Sequence, residues 1–215
     1  METDKILIIT AVDAESGALK QGIGDNPRFL VKAGGVGQAQ AAASTMMELQ
    51  RDTYRMVINA GIAGGFKEKA GAGSIVVANE IWAADAGAES ADGFQSLEKL
   101  KLGESRYECD TRLTKMLCEG LYEAGLTVKI GPVLTTSTVT GTTETAEKLE
   151  ERIPGAAAEA MEGYGAAAAC QLMNVPVLEL RTISNIVGPR DRANWKIKEA
   201  LAALEKAGSV IQEVF

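Results

Sequence analysis

The chain has 215 residues, enough for one large domain with a sizeable core and too few for two comfortable ones. Hydrophobic residues make up 46 %, which argues against disorder, and a formal charge of −7 without a basic stripe argues against nucleic acid and for a small-molecule partner. There is no histidine, which removes Ser-His and Cys-His nucleophile pairs and His-based zinc sites and leaves acid–base work near neutral pH to carboxylates, lysine, tyrosine or water.

Met1–Lys5 is not a positively charged leader, and the apolar ILIIT after it is only a strand long, so no secretory signal is expected. No stretch approaches the roughly 18 apolar residues of a membrane helix. Lys5–Thr10 reads as a buried first strand. Asp13 and Glu15 follow it in TAVDAES. A carboxylate just past a buried strand end suits a general acid or base, and equally a helix N-terminal acid favoured by the macrodipole. Phe29–Gly34 predicts a second strand, Gly34–Gly37 a glycine turn, and Gln38–Gln50 an Ala-rich helix. Arg55–Asn59 predicts a strand running into a second glycine turn, AGIAGG, at 60–65. Such turns let backbone N–H groups approach a phosphate or sugar, or serve packing alone; neither is a dinucleotide fingerprint or a P-loop.

Ser74–Asn79 predicts another strand, and residues 85–108 a polar, irregular segment long enough to be functional. Asp110–Ala124 suits an amphipathic helix and Thr127–Leu134 a strand. Cys109, Cys118 and Cys170 are scattered thiols with no CxxC, which fits a cytoplasmic protein. Thr135–Thr145 (TTSTVTGTTET) is a Thr-rich loop that offers hydroxyls to a ligand or merely satisfies its own backbone. Glu159–Met173 predicts a helix, with Glu162 at the mouth of the small-residue run GYGAAAAC. Pro176–Ile183 predicts a buried strand that stops at Ser184-Asn185. Arg190, Asp191, Arg192 and Trp195 form GPRDRANW. Two guanidiniums beside an aromatic suit an anionic aromatic ligand, or mark a helix start with Asp191 as N-cap. Asp191–Phe215 closes the chain as a long helix.

Strands and helices alternate, so the expected fold is one α/β domain over 1–215, a three-layer α/β/α sandwich around a mixed, mostly parallel sheet. Ligands of such sheets bind beyond the carboxyl ends of parallel strands. Glu162, able to accept two hydroxyl hydrogen bonds, and Asn185, able to pair with a heterocycle, would share that crevice as a nucleoside site.

Taken in order, AVDAE, INAGIAGG, AMEGYG and VPVLELRTISN resemble the purine nucleoside phosphorylase/nucleosidase superfamily over nearly the entire chain. The general pattern is similar to methylthioadenosine/S-adenosylhomocysteine nucleosidases. TVTGT with SNIVGPRDRANW looks like the futalosine hydrolases of menaquinone biosynthesis. The resemblance implies hydrolysis of the N-glycosidic bond of futalosine to hypoxanthine and dehypoxanthine futalosine, without cofactor or metal, in a homodimer or larger homo-oligomer. Glu15 falls on the water-activating glutamate, Glu162 on the glutamate that binds the ribose 2′- and 3′-hydroxyls, Met161 under the sugar, and Asn185 on the purine-contacting residue. Gly61, Ile62 and Thr138, Val139 and Thr140 fall on the remaining substrate-binding segments. The implied mechanism is dissociative, with carboxylates stabilising a ribosyl oxocarbenium ion.

Three departures bear on the substrate. Enzymes acting on 6-aminopurines carry Asp where this chain has Asn185, and an amide suits a 6-oxopurine. They carry Ser where it has Ile62. The arginine cluster that phosphorylases need is missing near Ala11–Lys20 and Gly61–Lys69, where only Lys20, Lys67 and Lys69 occur, so water is the better nucleophile. Chemistry alone suggests that Arg190 or Arg192 pairs with the carboxylate at the 5′ end of futalosine while Trp195 meets its ring. The competing readings are a nucleosidase or phosphorylase for inosine-like or 5′-modified adenosine nucleosides, and a nucleoside-binding protein without turnover.

Overall fold

The computed structural model describes residues 4–215, so Met1–Thr3 of the leader segment considered above lie outside the described residues. Strand β1 (Ile6–Thr10) is buried along its whole length, as an apolar run becomes when helices cover both faces of a parallel sheet. It pairs in parallel with β2 (Phe29–Ala33) on one side and β3 (Met56–Gly65) on the other. Helix α1 (Asp13–Ile23) connects β1 to β2, and α2 (Gln38–Arg51) connects β2 to β3.

Beyond β3 the order becomes mixed. Strands β4 (Ile75–Ala83), β8 (Val128–Thr135), β9 (Ala158–Ala160) and β10 (Val177–Ile186) complete the sheet in the order β10-β4-β8-β9-β3-β1-β2. β10 also pairs with β3, so β3, β10, β4, β8 and β9 close into a ring at one end. Pairing is parallel except at β10–β4, β3–β9 and β4–β7, where β7 (Arg106–Glu108) adds to β4. Helices α1, α4 (Thr111–Glu123) and α7 (Ile197–Val214) pack together on one face, and α2 packs with α6 (Gly163–Leu172) on the other. The expected three layers and the mostly parallel sheet are therefore present. No helix among the described residues is long and apolar enough to cross a membrane.

Several elements depart from expectation. AGIAGG is no turn but the second half of β3, because β10 and β9 both pair along it. Likewise β10 does not stop at Ser184; it runs to Ile186 with a register shift between Ile183 and Asn185. Residues 85–108 are ordered as a hairpin of β5 (Gly87–Ser90) and β6 (Gly93–Ser96), a short helix α3 (Leu97–Leu100) and β7. Tyr107 stacks on Tyr164 at 4.8 Å, and the Tyr164 hydroxyl donates to the Glu104 carbonyl at 2.6 Å, which ties this segment to α6. The Thr-rich loop ends earlier than expected: Thr142 caps α5 (Thr143–Arg152), accepting from the Thr145 amide at 3.1 Å. Glu159 belongs to β9, not to a helix; α6 begins only at Gly163. The closing helix begins at Ile197, after a short 3-10 turn over Arg192–Asn194. There the Asp191 carboxylate accepts from the Asn194 side chain at 2.6 Å rather than capping backbone.

Candidate active site

The carboxyl ends of β1, β3, β9 and β10 surround a cavity of about 250 Å³. Its wall brings together Glu15, Ile62, Met161, Glu162, Asn185 and Trp195, with Val139 and Thr140 from the Thr-rich loop. Wider hollows of about 490 and 670 Å³ open beside Trp82 and beside Tyr107, but neither contains the strand-end carboxylates.

Glu15 sits in the first turn of α1 and is buried. One oxygen accepts from the amides of Ala11 at 2.9 Å and Val12 at 3.2 Å, and the other accepts from the Ile62 amide of β3 at 2.8 Å. Three backbone donors from two elements fix the carboxylate's orientation. Gly61 makes this approach possible, since a Cβ there would lie 2.6 Å from Glu15 Oε1. Gly61 thus sits beneath Glu15 and off the cavity wall. Asp13, the alternative acid in sequence, is exposed on the outer side of the same turn. Of the two, only Glu15 is buried against the cavity.

Glu162 stands at the N-terminus of α6, where the helix dipole favours a negative charge. Its Oε1 accepts from the Gly37 amide at 3.1 Å, and its Oε2 lies 3.3 Å from both the Met161 amide and Arg181 Nη1. Arg181 is 1 % exposed and rises from the middle of β10. Its Nε donates to Glu179 at 2.8 Å, and its Nη2 donates to the side-chain oxygen of Asn59, which itself donates to the Ile9 carbonyl at 3.1 Å. Burial alone would weaken this guanidinium, yet Glu179, Glu162 and Glu15 around it hold its pKa above the ordinary value. The Glu179 carboxyl, fully buried, is pushed up by desolvation against the pull of Arg181. A charge survives in such an interior only when paired and hydrogen-bonded, and this cluster is paired through one arginine.

Arg181, Glu179 and Asn59 were not among the expected site residues. The signal was available: ELR interrupts an otherwise apolar strand, and buried strands hold charges only where partners are waiting.

Asn185 is half-buried at the end of β10. Its Oδ1 lies 2.7 Å from the Ser184 hydroxyl, and Nδ2 donates to the Ile186 carbonyl at 3.0 Å, which leaves one amide hydrogen directed elsewhere. In the Thr-rich loop Thr138 is exposed and off the cavity wall, whereas Val139 and Thr140 line it. Thr140 is committed: its amide donates to Glu159 Oε1 at 2.9 Å and its hydroxyl to Glu159 Oε2. Burial pushes the Glu159 carboxyl up from its usual range, the two Thr140 donors oppose this, and Asp85 adds to the rise. Trp195 forms part of the wall, with Arg190 and Arg192 flanking its ring at 5.7 and 5.8 Å. Both arginines are exposed outside the wall itself.

The chain matches the phosphorylase superfamily over residues 12–215. It is 51 % identical over 180 residues to the futalosine hydrolase of Streptomyces coelicolor, covering 81 % of this chain and 74 % of that one. To the futalosine hydrolase of Acidothermus cellulolyticus it is 46 % identical over 216 residues, covering 94 % and 88 %. In fold it is similar to the native structure of futalosine hydrolase of Helicobacter pylori, with a TM-score of 0.84 at 20 % identity over 98 % of each chain. It is equally similar in fold to the Neisseria meningitidis 5′-methylthioadenosine/S-adenosylhomocysteine nucleosidase in complex with methylthio-immucillin-A, at 0.84 and 19 % identity over 98 % of this chain and 99 % of that one.

Proposed function

The chain belongs to the phosphorylase superfamily, and from that premise we propose that it hydrolyses the N-glycosidic bond of futalosine, releasing hypoxanthine and dehypoxanthine futalosine in menaquinone biosynthesis, with residues 1–215 acting as one domain. The observation that carries this reading is the convergence of Glu15 and Glu162 on one cavity, each held by backbone amides.

In the proposed reaction Glu162 accepts hydrogen bonds from the ribose 2′- and 3′-hydroxyls, and Met161 packs under the sugar. Glu15 holds water against C1′ and takes its proton as the base departs. Asn185 uses its remaining amide hydrogen at N7 or O6 of the leaving purine. The oxocarbenium charge that develops on the ribosyl group faces Glu15 and Glu162, and fixed charges in a closed site stabilise such a transition state strongly. Ile62 offers the base an apolar contact. Water is favoured over phosphate because the cavity wall is acidic and apolar, and Lys20, Lys67 and Lys69 are all exposed away from it. Arg181 is committed to Glu162, Glu179 and Asn59.

At the outer end, Trp195 faces the carboxyphenyl ring and Arg190 or Arg192 meets its carboxylate. The protein works as a homodimer or larger homo-oligomer in the cytoplasm. Support for the assembly comes from Val12, Val36, Val139 and Ile197, apolar side chains left exposed around the cavity mouth; support for the compartment comes from three buried free thiols. Incubation with futalosine is expected to release hypoxanthine, with 5′-methylthioadenosine turned over at least a hundredfold more slowly because its 5′ end offers nothing to the arginines and its base mismatches Asn185. Release of adenine from 5′-methylthioadenosine at a comparable kcat/KM would overturn the assignment.

A further inference from the structure

Beneath the cavity, Glu179 is the carboxylate that the proposed reaction leaves without a task. It is wholly buried in β10 between the apolar Leu178 and Leu180. A carboxylate in such a place costs free energy that an apolar side chain would not. Nor is it needed to neutralise Arg181, which has Glu162 3.3 Å away and the field of Glu15 besides. Three carboxylates surround one guanidinium, an excess of acid that Glu179 enlarges rather than relieves. Yet room is kept for it. A Cβ on Gly163 would lie 2.1 Å from Glu179 Oε2 and 2.4 Å from Oε1, so the carboxylate fits because the first residue of α6 has no side chain.

The shape of the guanidinium gives Glu179 its role. Alternate residues of a strand share a face, so Glu179 and Arg181 project side by side. The guanidinium is a rigid plane, and its three nitrogens meet acceptors from three elements. Nε donates to Glu179 of β10 at 2.8 Å, Nη2 donates to Asn59 of β3, and Nη1 lies 3.3 Å from Glu162 at the start of α6. In register, Glu179 pairs with Asn59 and Arg181 with Gly61. A Cβ on Gly61 would come within 3.0 Å of Arg181 Nη1 and 2.6 Å of Glu15 Oε1. Nη1 is thus held beside both carboxylates that the proposed reaction uses. With Nε fixed on Glu179 and Nη2 on Asn59, the plane leaves Nη1 one position. Without the Glu179 acceptor, the group pivots on Asn59 alone. We propose that Glu179 is a positioning residue that acts through Arg181 to aim Glu162 at the ribose hydroxyls, with Gly163 as the notch that admits it. The ribose belongs to the proposed hydrolysis of futalosine, and the inference rests on that reading.

An uncleavable nucleoside tests this without turnover. 9-Deazainosine has a C–C bond in place of the N-glycosidic bond, and 9-deazahypoxanthine is its base alone. The ratio of their dissociation constants on the full chain, read by calorimetry, is the sugar's share of the affinity. Asn185, which meets the base, stands six residues further along β10, roughly 20 Å away, so the free base is the control. Glu179→Met keeps the length but offers no acceptor. It should cut the ratio by about tenfold and leave 9-deazahypoxanthine affinity unchanged. Glu179→Gln still offers Arg181 Nε an oxygen and should keep the ratio within about threefold. Equal losses on nucleoside and base in Glu179→Met, an unchanged ratio there, or a loss as large in Glu179→Gln would overturn the proposal. Should Glu179→Met not fold, Gly163→Ala displaces the same carboxylate by crowding, and an unchanged ratio in that variant would equally overturn it. Failure of both compounds to bind the native chain would sink the nucleoside reading and this proposal together. Selective loss of the sugar's share in a chain that leaves futalosine intact would sink the proposed reaction and keep the Glu179 assignment.

Discussion

The floor and the mouth of the cavity handle charge in opposite ways. On the floor, Glu15, Glu162, Glu179 and Arg181 are buried, and each is fixed by backbone amides or by its charged neighbour. At the mouth, Arg190 and Arg192 are exposed and touch chiefly the ring of Trp195. Interactions in a low-dielectric interior are strong and unforgiving of a lost partner, whereas exposed charges are screened and interchangeable. In the proposed reaction the floor supplies the groups whose geometry must hold to fractions of an ångström, and the mouth meets what protrudes from the sugar.

Substitutions on the floor should cost the most. Glu15→Gln preserves shape but not basicity, so single-turnover hydrolysis should slow by on the order of a thousandfold while futalosine affinity changes little. Near-normal kcat would place the base elsewhere. Arg181→Met leaves Glu162 and Glu179 without their shared partner in the interior. Breaking a buried pair from one side costs about 3–5 kcal/mol, to be read as a lower Tm together with lost kcat; an unchanged melting curve would mean that the cluster is not held through Arg181.

Between floor and mouth, Asn185→Asp should move the kcat/KM ratio of futalosine to its 6-amino counterpart by about tenfold or more toward the amino form, because an ionised carboxylate cannot donate to O6 or N7. A constant ratio would mean that the base is read elsewhere than at Asn185. The smallest effect is expected at the mouth. Arg190→Met or Arg192→Met should raise KM for futalosine by about tenfold, the exposed position discounting a buried pair's worth, and leave inosine, which lacks the carboxylate, nearly unaffected. Equal losses on both nucleosides would reduce GPRDR to a structural turn.

Long apolar elements were readable from sequence because their own composition determines them: β1, β2, α2 and α4 fall where periodicity places them. Small-residue and polar breaks placed Glu162 and Asn185 near element ends, though α6 begins later than expected, at Gly163, and β10 runs on to Ile186. What escaped depends on distant partners. β3 continues through AGIAGG only because β9 and β10, nearly 100 residues or more further along, pair with it. β9 has three residues, too few for any period. Helix α5 buries only Ala146 and Leu149 amid charged neighbours, so its apolar face is narrow. The Thr-rich loop left open whether its hydroxyls serve a ligand or the loop itself; Thr140 is held by Glu159, 19 residues away, a partner no local pattern reveals.

The most direct measurement is the phosphate dependence of base release. Hypoxanthine should form from futalosine at the same rate in phosphate-free buffer and in saturating phosphate, with the ribosyl product carrying no phosphate ester. Release that requires phosphate and yields a sugar phosphate would contradict the water held by Glu15.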